Sequence, residues 1–468
     1  MTSRQHLSTI VPEESIAPGS PQDVAIVGGG ILGMTLALRL REQGLRVTLI
    51  EAAPVTGGLT QSQTLGGFTW DRFYHVILLS DQHLRDLLRE LGLTERMRWG
   101  TTRTGFYIGG KLYSLSDARE FLRFPPLSAT DKIRLAATIL YASRIRNWRR
   151  LERIPVAQWL RRLSGERTFN SVWLPLLRSK LGENYRRASA AFIWAIIARM
   201  YAARRSRLKR EMFGYVEGGY RTILDAFRIR LDRLGVVTLT GQPVTTVRDV
   251  GNGVEVCLAG GRAYTFGKVV LTVPCGQVLA LCPDLSAGER ERLSSVLYQG
   301  IVCPSLLLRK PLADFYITNI TDSWVPFTGV IEMSALVDPD TFGGNALVYL
   351  PRYLTQDDSF WHKTDAEIRE VFVAALERMY PNFKPSDVLA FQVARVREML
   401  AVSTLNYSER SRPPLRTSLP NVYIANSAQI ANGTLNVNET VALANASADQ
   451  LRSLLVADTP ESLQQMQA

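Results

Sequence analysis

The chain has 468 residues, of which 46% are hydrophobic and 21% are charged. That is enough apolar material for two ordinary domains, because a single hydrophobic core stops growing near ~250–300 residues. The composition excludes a collagen, a coiled coil and a wholly disordered chain. No stretch reaches the ~18 uninterrupted apolar residues of a membrane-spanning helix, so the sequence predicts none.

The net charge of +12 is unevenly distributed. Residues 131–210 contain 20 Lys or Arg and 4 Asp or Glu, a net of +16. Such an asymmetry is typical of a surface that meets an acidic partner. The segment also carries Trp148, Trp159, Trp173 and Trp194, and basic helices with aromatic anchors can lie on anionic membranes. The alternative is a solvated helical face whose tryptophans pack in the core.

The first structured unit is predicted to follow an arm. Residues 1–22 lack the apolar core of a secretory signal and are rich in Ser, Pro and Glu, which predicts disorder. Residues 24–27 form an apolar run, residues 34–43 have apolar residues at helical spacing, and residues 47–50 form a second apolar run. This order predicts a strand, a helix and a strand, a βαβ unit.

A Gly-x-Gly-x-x-Gly motif joins the first strand to the helix. Its glycines are Gly28, Gly30 and Gly33. In a dinucleotide-binding unit the first glycine permits a tight turn, the second lets the backbone approach a pyrophosphate, and the third lets helix and strand pack closely. A glycine-rich turn that packs without a ligand is the alternative.

The residues around the motif complete this pattern. The helix that begins with Ile31 and Leu32 directs unpaired N–H groups at the phosphates. Glu51, at the end of the second strand, would accept hydrogen bonds from a ribose diol, and its charge disfavours the 2′-phosphate of NADP. The motif alone leaves FAD and NAD open.

The later elements alternate between helical and strand patterns. Residues 131–210 have few strand signals and predict a helical layer. Further helices are predicted at 222–234, 365–379 and 439–455. Strands are predicted at 244–247, 254–258, 269–274, 301–308, 329–333, 346–350 and 421–425.

Residues 51–58 resemble the extended pattern of FAD-dependent oxidoreductases of the flavin amine oxidase, protoporphyrinogen oxidase and phytoene desaturase superfamily, in which a Gly-Gly pair follows the ribose-binding Glu. The resemblance spans residues 23 to about 455 and implies FAD as the cofactor. It also implies further cofactor contacts: Gly57 and Gly58 near the flavin, Val247 beside the adenine, and Asn438, Glu439 and Thr440 at a helix start facing the pyrimidine edge of the flavin.

The sequence resembles in particular a bacterial branch associated with polysaccharide or lipid-linked glycan synthesis, which shares features with UDP-galactopyranose mutase. It departs from the wider superfamily at three places. Leu59 stands where many members carry Arg. Residues 426–427 are Asn-Ser in place of Gly and an acidic residue. Residues 301–304 lack the Lys of amine-oxidising relatives, so amine oxidation through that Lys is not expected.

Two residues are candidates for catalysis. His75 follows the Gly pair in a stretch that in relatives runs beside the flavin ring, where an imidazole could donate a hydrogen bond or transfer a proton. Glu332 interrupts an apolar strand of the predicted substrate domain, and a buried carboxylate is either paired or part of a site. A hydrogen-bonded turn residue and a salt-bridge member are the respective alternatives. The four His and four Cys show no metal-ligand spacing, so no metal site is predicted.

The predicted fold class is α/β plus α+β, with a discontinuous Rossmann-type FAD-binding domain and an interleaved substrate domain of mixed sheet and helices. The FAD-binding domain is predicted to comprise residues 23–115, 211–280 and 415–456. The substrate and helical domain is predicted to comprise residues 116–210 and 281–414, and residues 457–468 are predicted to form a tail.

The predicted function is an FAD-dependent oxidoreductase that oxidises or desaturates a nonpolar or lipid-linked substrate, such as a glycan-pathway intermediate, by hydride transfer to flavin N5. Two alternatives stay open: a non-redox flavoenzyme, such as a sugar mutase or isomerase using reduced FAD, and a non-catalytic FAD-bound partner. Only one dinucleotide motif occurs, so we expect electrons to enter from the organic substrate rather than from a nicotinamide domain.

The expected location is the cytoplasm, with peripheral contact at the inner face of the cell membrane. Four cysteines without Cys-x-x-Cys spacing fit a reducing compartment. Arg204, Arg205 and Arg207 are predicted to take part in the contact with anionic lipid. Nucleic acid is not expected as a partner, and no oligomeric state is predicted.

Overall fold

The protein is described here by a computed structural model that covers residues 23–204, 212–431 and 435–457. The predicted N-terminal arm and all but the first residue of the predicted tail lie outside these ranges, as do Arg205 and Arg207. Arg204 ends a helix whose last side chains are also outside the description.

The strands of the described ranges are β1 (Asp23–Val27), β2 (Arg46–Ile50), β3 (Ser62–Leu65), β4 (Phe68–Asp71), β5 (Ile77–Leu78), β6 (Met97–Thr101), β7 (Thr104–Ile108), β8 (Lys111–Ser114), β9 (Met212–Val216), β10 (Val237–Leu239), β11 (Val244–Asp249), β12 (Val254–Leu258), β13 (Ala263–Phe266), β14 (Lys268–Leu271), β15 (Tyr298–Leu308), β16 (Ile317–Ile320), β17 (Gly329–Glu332), β18 (Ala346–Tyr349), β19 (Arg352–Leu354), β20 (Val388–Ala401) and β21 (Val422–Ile424).

The α-helices of these ranges are α1 (Ile31–Glu42), α2 (Gln82–Glu90), α3 (Ala118–Arg123), α4 (Ala129–Arg144), α5 (Val156–Ser164), α6 (Glu166–Thr168), α7 (Leu174–Leu181), α8 (Ala190–Arg204), α9 (Gly219–Arg233), α10 (Cys275–Leu281), α11 (Ala287–Ser294), α12 (Asp365–Met379), α13 (Tyr407–Arg410) and α14 (Val437–Ala457).

A parallel five-stranded sheet forms the first domain, in the order β10-β2-β1-β14-β21. All residues of the central strand β1 are buried, as expected for a parallel sheet covered on both faces. Helices α1 and α14 pack in one apolar core, and the antiparallel sheet of β11, β12 and β13 contributes to a second. The sheet draws its strands from three separate stretches of the chain, which is the Rossmann-type arrangement expected from the sequence.

A mixed sheet forms the second domain, in the order β19-β15-β18-β17-β16-β7-β8, with β20 pairing with β15. Helix α12 packs on one face. The other face meets β3, β4 and the segment that follows them. This second contact brings the substrate domain against the cofactor domain.

The position of β7 and β8 corrects a predicted boundary. The sequence places residues 23–115 in the cofactor domain, but β7 pairs with β16 and β8 pairs with β7. Both strands therefore belong to the substrate-domain sheet. A hairpin with a Gly109-Gly110 turn is a local signal, and it does not specify which sheet the hairpin joins.

A helical layer, predicted over residues 131–210, is formed by residues 118–204, from α3 to α8. Trp159 and Trp173 are buried in the core of this layer. This position agrees with the alternative in which the tryptophans pack inward instead of anchoring the protein to a membrane. Trp148 and Trp194 are partly buried and stack with ring centres 6.5 Å apart. Within the described ranges, no helix combines the length and apolar character needed to cross a membrane.

Candidate functional site

The turn between β1 and α1 has the geometry of a phosphate cradle. Gly28 has φ of +111°, a conformation that favours glycine. A Cβ on Gly33 would lie 1.9 Å from the carbonyl oxygen of Gly28, so only glycine lets the helix approach the strand. A Cβ on Gly30 would meet nothing within 4 Å. The space beside Gly30 is therefore open to a ligand.

The start of α1 faces this space without a side-chain cap. Gly30 is the residue that precedes the helix, and no acidic residue occurs in the first turn. The first N–H groups of a helix have no partner inside the helix. With Ile31 and Leu32 at these positions, the helix end offers donors and a partial positive charge to an anion.

Glu51 is held beside the same turn by backbone donors. Its Oε2 accepts a hydrogen bond from Gly29 N at 2.6 Å, and its Oε1 accepts one from Ala53 N at 2.8 Å. A carboxylate has about four acceptor sites, so both oxygens retain capacity for the hydroxyls of a ribose. The side chain is only partly buried, which leaves it accessible to such a group.

The Gly57-Gly58 pair closes the cradle from the other side. Gly57 N donates to Gly29 O at 2.7 Å, and the two glycines have φ of +122° and +56°. A Cβ on Gly58 would approach Gly30 Cα to 3.2 Å. The fold thus brings together the glycines and Glu51 from residues that are separated by up to 30 positions.

The remaining predicted cofactor residues make contacts within the protein. Asn438 is buried and its Oδ1 accepts from Leu84 N at 3.1 Å, which ties α14 to α2. Glu439 N donates to the Asn436 side chain, and the Thr440 hydroxyl donates to Asn436 O. Val247 is fully buried in the core. Contacts of these residues with a cofactor would therefore come mainly from main-chain groups.

An aromatic cluster lies next to the cradle, on the face of the substrate sheet that meets the cofactor domain. Its members include Trp70, Tyr74, Tyr316, Tyr349 and Tyr353. The Tyr74 and Tyr353 hydroxyls are 2.8 Å apart. Leu59, the residue after Gly58, packs against the same cluster. The wall beside the predicted flavin position is therefore apolar with a few hydroxyl groups.

His75 lies at the edge of this cluster. Its ring centre is 4.8 Å from that of Tyr220, and its Nδ1 is 2.9 Å from Phe73 O. Burial lowers the pKa of His75 to about 4, so the imidazole is neutral near pH 7. Because a carbonyl oxygen only accepts hydrogen bonds, the neutral ring has its proton on Nδ1, and Nε2 is left as an acceptor.

Glu332 is placed away from His75. Its neighbours on β17 alternate in direction: Val330 packs towards α12, and Ile331 packs in the aromatic cluster. Glu332 shares the face of Val330. Its Oε2 accepts from Ala313 N at 3.1 Å and Leu312 N at 3.3 Å, and burial raises its pKa to about 7. The structure thus gives Glu332 a loop-holding role and does not join it to the candidate site.

Asp71 and two tyrosines are further candidate site residues, which the sequence pattern does not single out. Burial raises the pKa of Asp71 to about 7, and its Oδ1 accepts from Tyr220 N at 2.7 Å. The hydroxyls of Tyr220 and Tyr316 are buried without a hydrogen-bond partner among the described residues. The dense aromatic run from residue 68 to 75 is the signal that could have identified this cluster.

A family comparison agrees with this geometry. The model of the family described as flavin containing amine oxidoreductase matches residues 33–450. The chain belongs to this family. Membership confirms FAD as the cofactor and the oxidoreductase class of the protein, and the cradle residues fit such a dinucleotide.

Curated relatives match over parts of their length. Protoporphyrinogen oxidase 2, chloroplastic/mitochondrial, of Arabidopsis thaliana is 32% identical over 101 residues, 22% of this chain and 20% of that protein. Coproporphyrinogen III oxidase of Mycobacterium leprae (strain TN) is 27% identical over 284 residues, 56% of this chain and 61% of that protein. The chain therefore aligns with less than two thirds of each of these relatives.

Solved structures match nearly the whole fold. A putative protoporphyrinogen oxidase from Exiguobacterium sp. 255-15 aligns with 92% of this chain and 99% of its own, with a TM-score of 0.73 and 19% identity. Reduced UDP-galactopyranose mutase aligns with 93% and 97%, with a TM-score of 0.71 and 15% identity. At these identities the likeness establishes the fold alone.

Two departures from the superfamily pattern can be located in the structure. β15 is buried along its whole length and carries no Lys, so the strand presents no amine group beside the aromatic cluster. Asn426 is buried, donates to Val273 O at 2.9 Å and accepts from Ala428 N at 3.1 Å. Its side chain organises the turn after β21. Among the described residues, no cluster of His, Cys, Asp or Glu suited to a metal ion occurs.

Proposed function

We propose that the protein is an FAD-dependent enzyme that oxidises or desaturates a nonpolar or lipid-linked substrate, such as an intermediate of a glycan pathway. The observation that supports this most directly is the apolar aromatic cluster adjoining the Gly57-Gly58 turn. Fixed hydrogen-bonding groups and an apolar wall suit a substrate that is recognised by shape and burial rather than by charge.

The cofactor would be held by main-chain donors and one carboxylate. The turn at Gly28, Gly30 and Gly33 would receive the pyrophosphate, and Glu51 would bind the ribose diol. The start of α14 would place N–H groups near the pyrimidine edge of the ring system, where they favour negative charge. When bound, the flavin supplies the hydride acceptor, its N5 atom.

The residues around the flavin ring would orient the substrate and accept the proton that it releases. Tyr74 and Tyr353 form a hydrogen-bonded pair along the cluster. His75 would accept a proton or hydrogen bond at Nε2, consistent with its neutral state and with its position at the edge of the cluster. The aromatic packing would exclude water from the reacting carbon.

The activities named for the relatives support a substrate of this kind. They include protoporphyrinogen and coproporphyrinogen oxidases and a 15-cis-phytoene desaturase. A structural relative crystallised with putrescine represents amine oxidation, but β15 has no Lys in this chain. We therefore propose oxidation or desaturation of a nonpolar substrate rather than oxidation of an amine.

Anaerobic reduction experiments test the proposal. Candidate nonpolar substrates are added without oxygen to the oxidised protein, and flavin absorbance is followed. Bleaching by a substrate, with a stoichiometric oxidised product, is the expected result. If no nonpolar or lipid-linked candidate reduces the flavin while a charged amine does, the substrate class is wrong.

A sugar mutase or isomerase is the second candidate. It is favoured by the match to reduced UDP-galactopyranose mutase, whose TM-score of 0.71 is similar to that of the oxidase-named structure. Photoreduction of the flavin before adding nucleotide sugars distinguishes it: turnover only after prior reduction, without net oxidation, indicates a mutase. Absence of turnover in both states indicates a non-catalytic FAD-bound partner.

We also propose that the protein works in the cytoplasm, in peripheral contact with an anionic membrane. The net charge of +16 in residues 131–210 supports electrostatic attraction to such a surface. A membrane contact would also give access to a lipid-linked substrate.

A further inference from the structure

Helix α4 is apolar on two sides, although only one side is covered. Leu135 and Ala142 are buried in the core of the helical layer. Ile133, Leu140 and Tyr141 are 69%, 40% and 54% exposed. A surface helix normally has a polar side opposite its buried stripe, and a helix that is apolar all round is normally covered on all sides.

The exposed apolar residues form a continuous stripe. They recur at i, i+3, i+4, i+7 and i+8, the spacing of one helical face, and are Ile133, Ala136, Ala137, Leu140 and Tyr141. Leu122 at the neighbouring α3 is 69% exposed. We call these six residues the α3–α4 face. Exposed apolar residues that are grouped in this way are typical of an interaction site, whereas apolar residues scattered singly over a surface are not.

Basic side chains accompany the face. Residues 118–153 contain nine basic and three acidic residues. The basic residues are Arg119, Arg123, Lys132, Arg134, Arg144, Arg146, Arg149, Arg150 and Arg153. All eight arginines are exposed. The positive charge is therefore at the surface, in the same segment of the chain as the apolar stripe.

The three acidic residues of this segment do not offset that charge at the surface. Glu120 accepts from Ser114 and Ser116, Asp131 accepts from Ser128 and Thr168, and Glu152 accepts from Ser408. Asp131 and Glu152 are buried, and Glu120 is partly buried. The segment thus presents arginine and apolar groups without an exposed carboxylate of its own.

We infer that the α3–α4 face is the surface by which the protein lies on an anionic lipid bilayer. The inference rests on the membrane contact proposed above and assigns the residues that make it. Aliphatic side chains would enter the acyl boundary, Tyr141 would lie at the interface, and the arginines would meet lipid phosphates. A second copy is disfavoured, because a two-fold contact would set the same arginines against each other.

Vesicle cosedimentation of the flavin-loaded protein tests the assignment. Vesicles of phosphatidylglycerol and phosphatidylcholine are compared with phosphatidylcholine alone at low salt. We expect at least tenfold tighter binding to the anionic vesicles. Leu122→Ser, Ile133→Ser and Leu140→Ser combined should weaken it at least tenfold, as should Arg134→Gln, Arg144→Gln and Arg146→Gln combined. FAD content and melting temperature should stay near those of the wild type in both variants.

Matched controls lie on other exposed helical surfaces. Ile229→Ser with Val371→Ser removes two exposed apolar residues, and Arg221→Gln with Arg228→Gln removes two exposed arginines on α9. Both controls should bind vesicles like the wild type. Equal binding by the α3–α4 variants would overturn the assignment while leaving membrane contact in place. A wild-type dimer that the serine variant converts to monomer, with no vesicle binding, would overturn it in favour of self-association.

The outcome is separable from that of the proposed enzyme activity. Turnover of a detergent-dispersed substrate does not require vesicles, so the variants should retain it. Loss of vesicle binding with intact turnover supports the assignment. A protein that binds vesicles through this face but is reduced by no nonpolar substrate would contradict the proposed activity and leave the surface assigned.

Discussion

Gly30 and Gly33 are three positions apart, yet the absence of a side chain serves a different purpose at each. A Cβ on Gly33 would collide with Gly28 O, whereas a Cβ on Gly30 would enter open space. Gly30 also has φ of −71°, which any residue can adopt. Gly33 is therefore required by the fold, whereas nothing in the fold requires Gly30, which we predict to be kept open for a ligand.

We predict that Gly30→Val yields a folded protein that binds no FAD, because the new side chain occupies the space of the pyrophosphate. Its melting temperature should match that of wild type stripped of flavin. Gly33→Ala, the matched change, should lower the free energy of unfolding by about 3 kcal/mol, since the added methyl group overpacks a backbone contact. Flavin absorbance and thermal melts measure both. A yellow Gly30→Val protein would contradict the assigned role of Gly30.

His75 provides a second test among the individual side chains. We predict that His75→Gln keeps the flavin spectrum and lowers turnover at least tenfold, because glutamine cannot accept the proton. His83→Gln, at an exposed position of α2, is the control and should be unaffected. With the pKa of His75 at about 4, the ring stays neutral above pH 5, so kcat/KM should show no titration of His75 between pH 5 and 8. Unchanged turnover in His75→Gln would assign the residue a packing role.

The residues of the cradle could be predicted from sequence because all of them lie within one short βαβ unit. Gly28, Gly30 and Gly33 need a strand, a turn and a helix in that order, and Glu51 needs only the second strand that follows. Glu332 was not predictable in the same way. Its direction depends on the pleat of β17 and on which sheet face meets α12, and neither is encoded locally.

At the scale of the elements, Asp71 joins the end of β4 to the start of α9. Its Oδ1 accepts from Tyr220 N, and Gly219 leaves room for this approach, since a Cβ there would lie 2.7 Å from the same oxygen. The sequence predicted this helix over residues 222–234. It did not predict the strand end that binds it, because the two are separated by about 150 residues.

Asp71 should also make stability depend on pH. Its pKa is about 7 in the folded protein against an ordinary value of 3.8, so the folded state retains a proton that the unfolded state loses between these values. The contribution of Asp71 to the free energy of unfolding therefore falls as pH rises from about 4 to about 7. The fall is up to about 1.4 kcal/mol for each unit by which the two pKa values differ.

Asp71→Asn should remove this contribution, because asparagine keeps an acceptor oxygen and cannot ionise. We predict that the stability of the variant relative to wild type increases from pH 4 to pH 7 in denaturant titrations. His75 titrates with the opposite sign in this range, but it is present in both proteins and cancels in the difference. Asp225→Asn, at an exposed position of α9, is the control, and the change with pH should be larger for Asp71→Asn than for this variant. A constant difference for Asp71→Asn would show that Asp71 is ionised in the fold.

At the scale of the whole molecule, an ion pair connects the helical layer to the cofactor domain. Arg199 of α8 contacts both carboxylate oxygens of Asp81, at 3.2 and 2.9 Å. Asp81 precedes α2, accepts from Leu78 N, and has a side chain only 3% exposed. Helix α2 in turn packs on α14 and receives the Asn438 side chain. The basic layer is thus attached to the helix whose start is predicted to face the flavin.

The sequence indicated the helical layer, because residues 131–210 have few strand signals, and it indicated the cofactor domain through its strand, glycine-rich turn and helix. It did not indicate this connection, since Arg199 and Asp81 are ordinary charged residues in sequence. Only the three-dimensional packing distinguishes them from the many exposed arginines of the same layer.

We predict that Arg199→Ala lowers the free energy of unfolding by about 3–5 kcal/mol, because it leaves the buried Asp81 carboxylate without its cation. Arg89→Ala removes an exposed pair with Asp86 on α2 and should cost less than about 1 kcal/mol. Denaturant titration of the flavin-loaded proteins measures both. Asp81→Asn combined with Arg199→Ala should recover part of the loss, since the amide can still accept from Leu78 N and carries no charge. If the single Arg199 variant is as stable as the Arg89 control, the ion pair does not couple the layer to the cofactor domain.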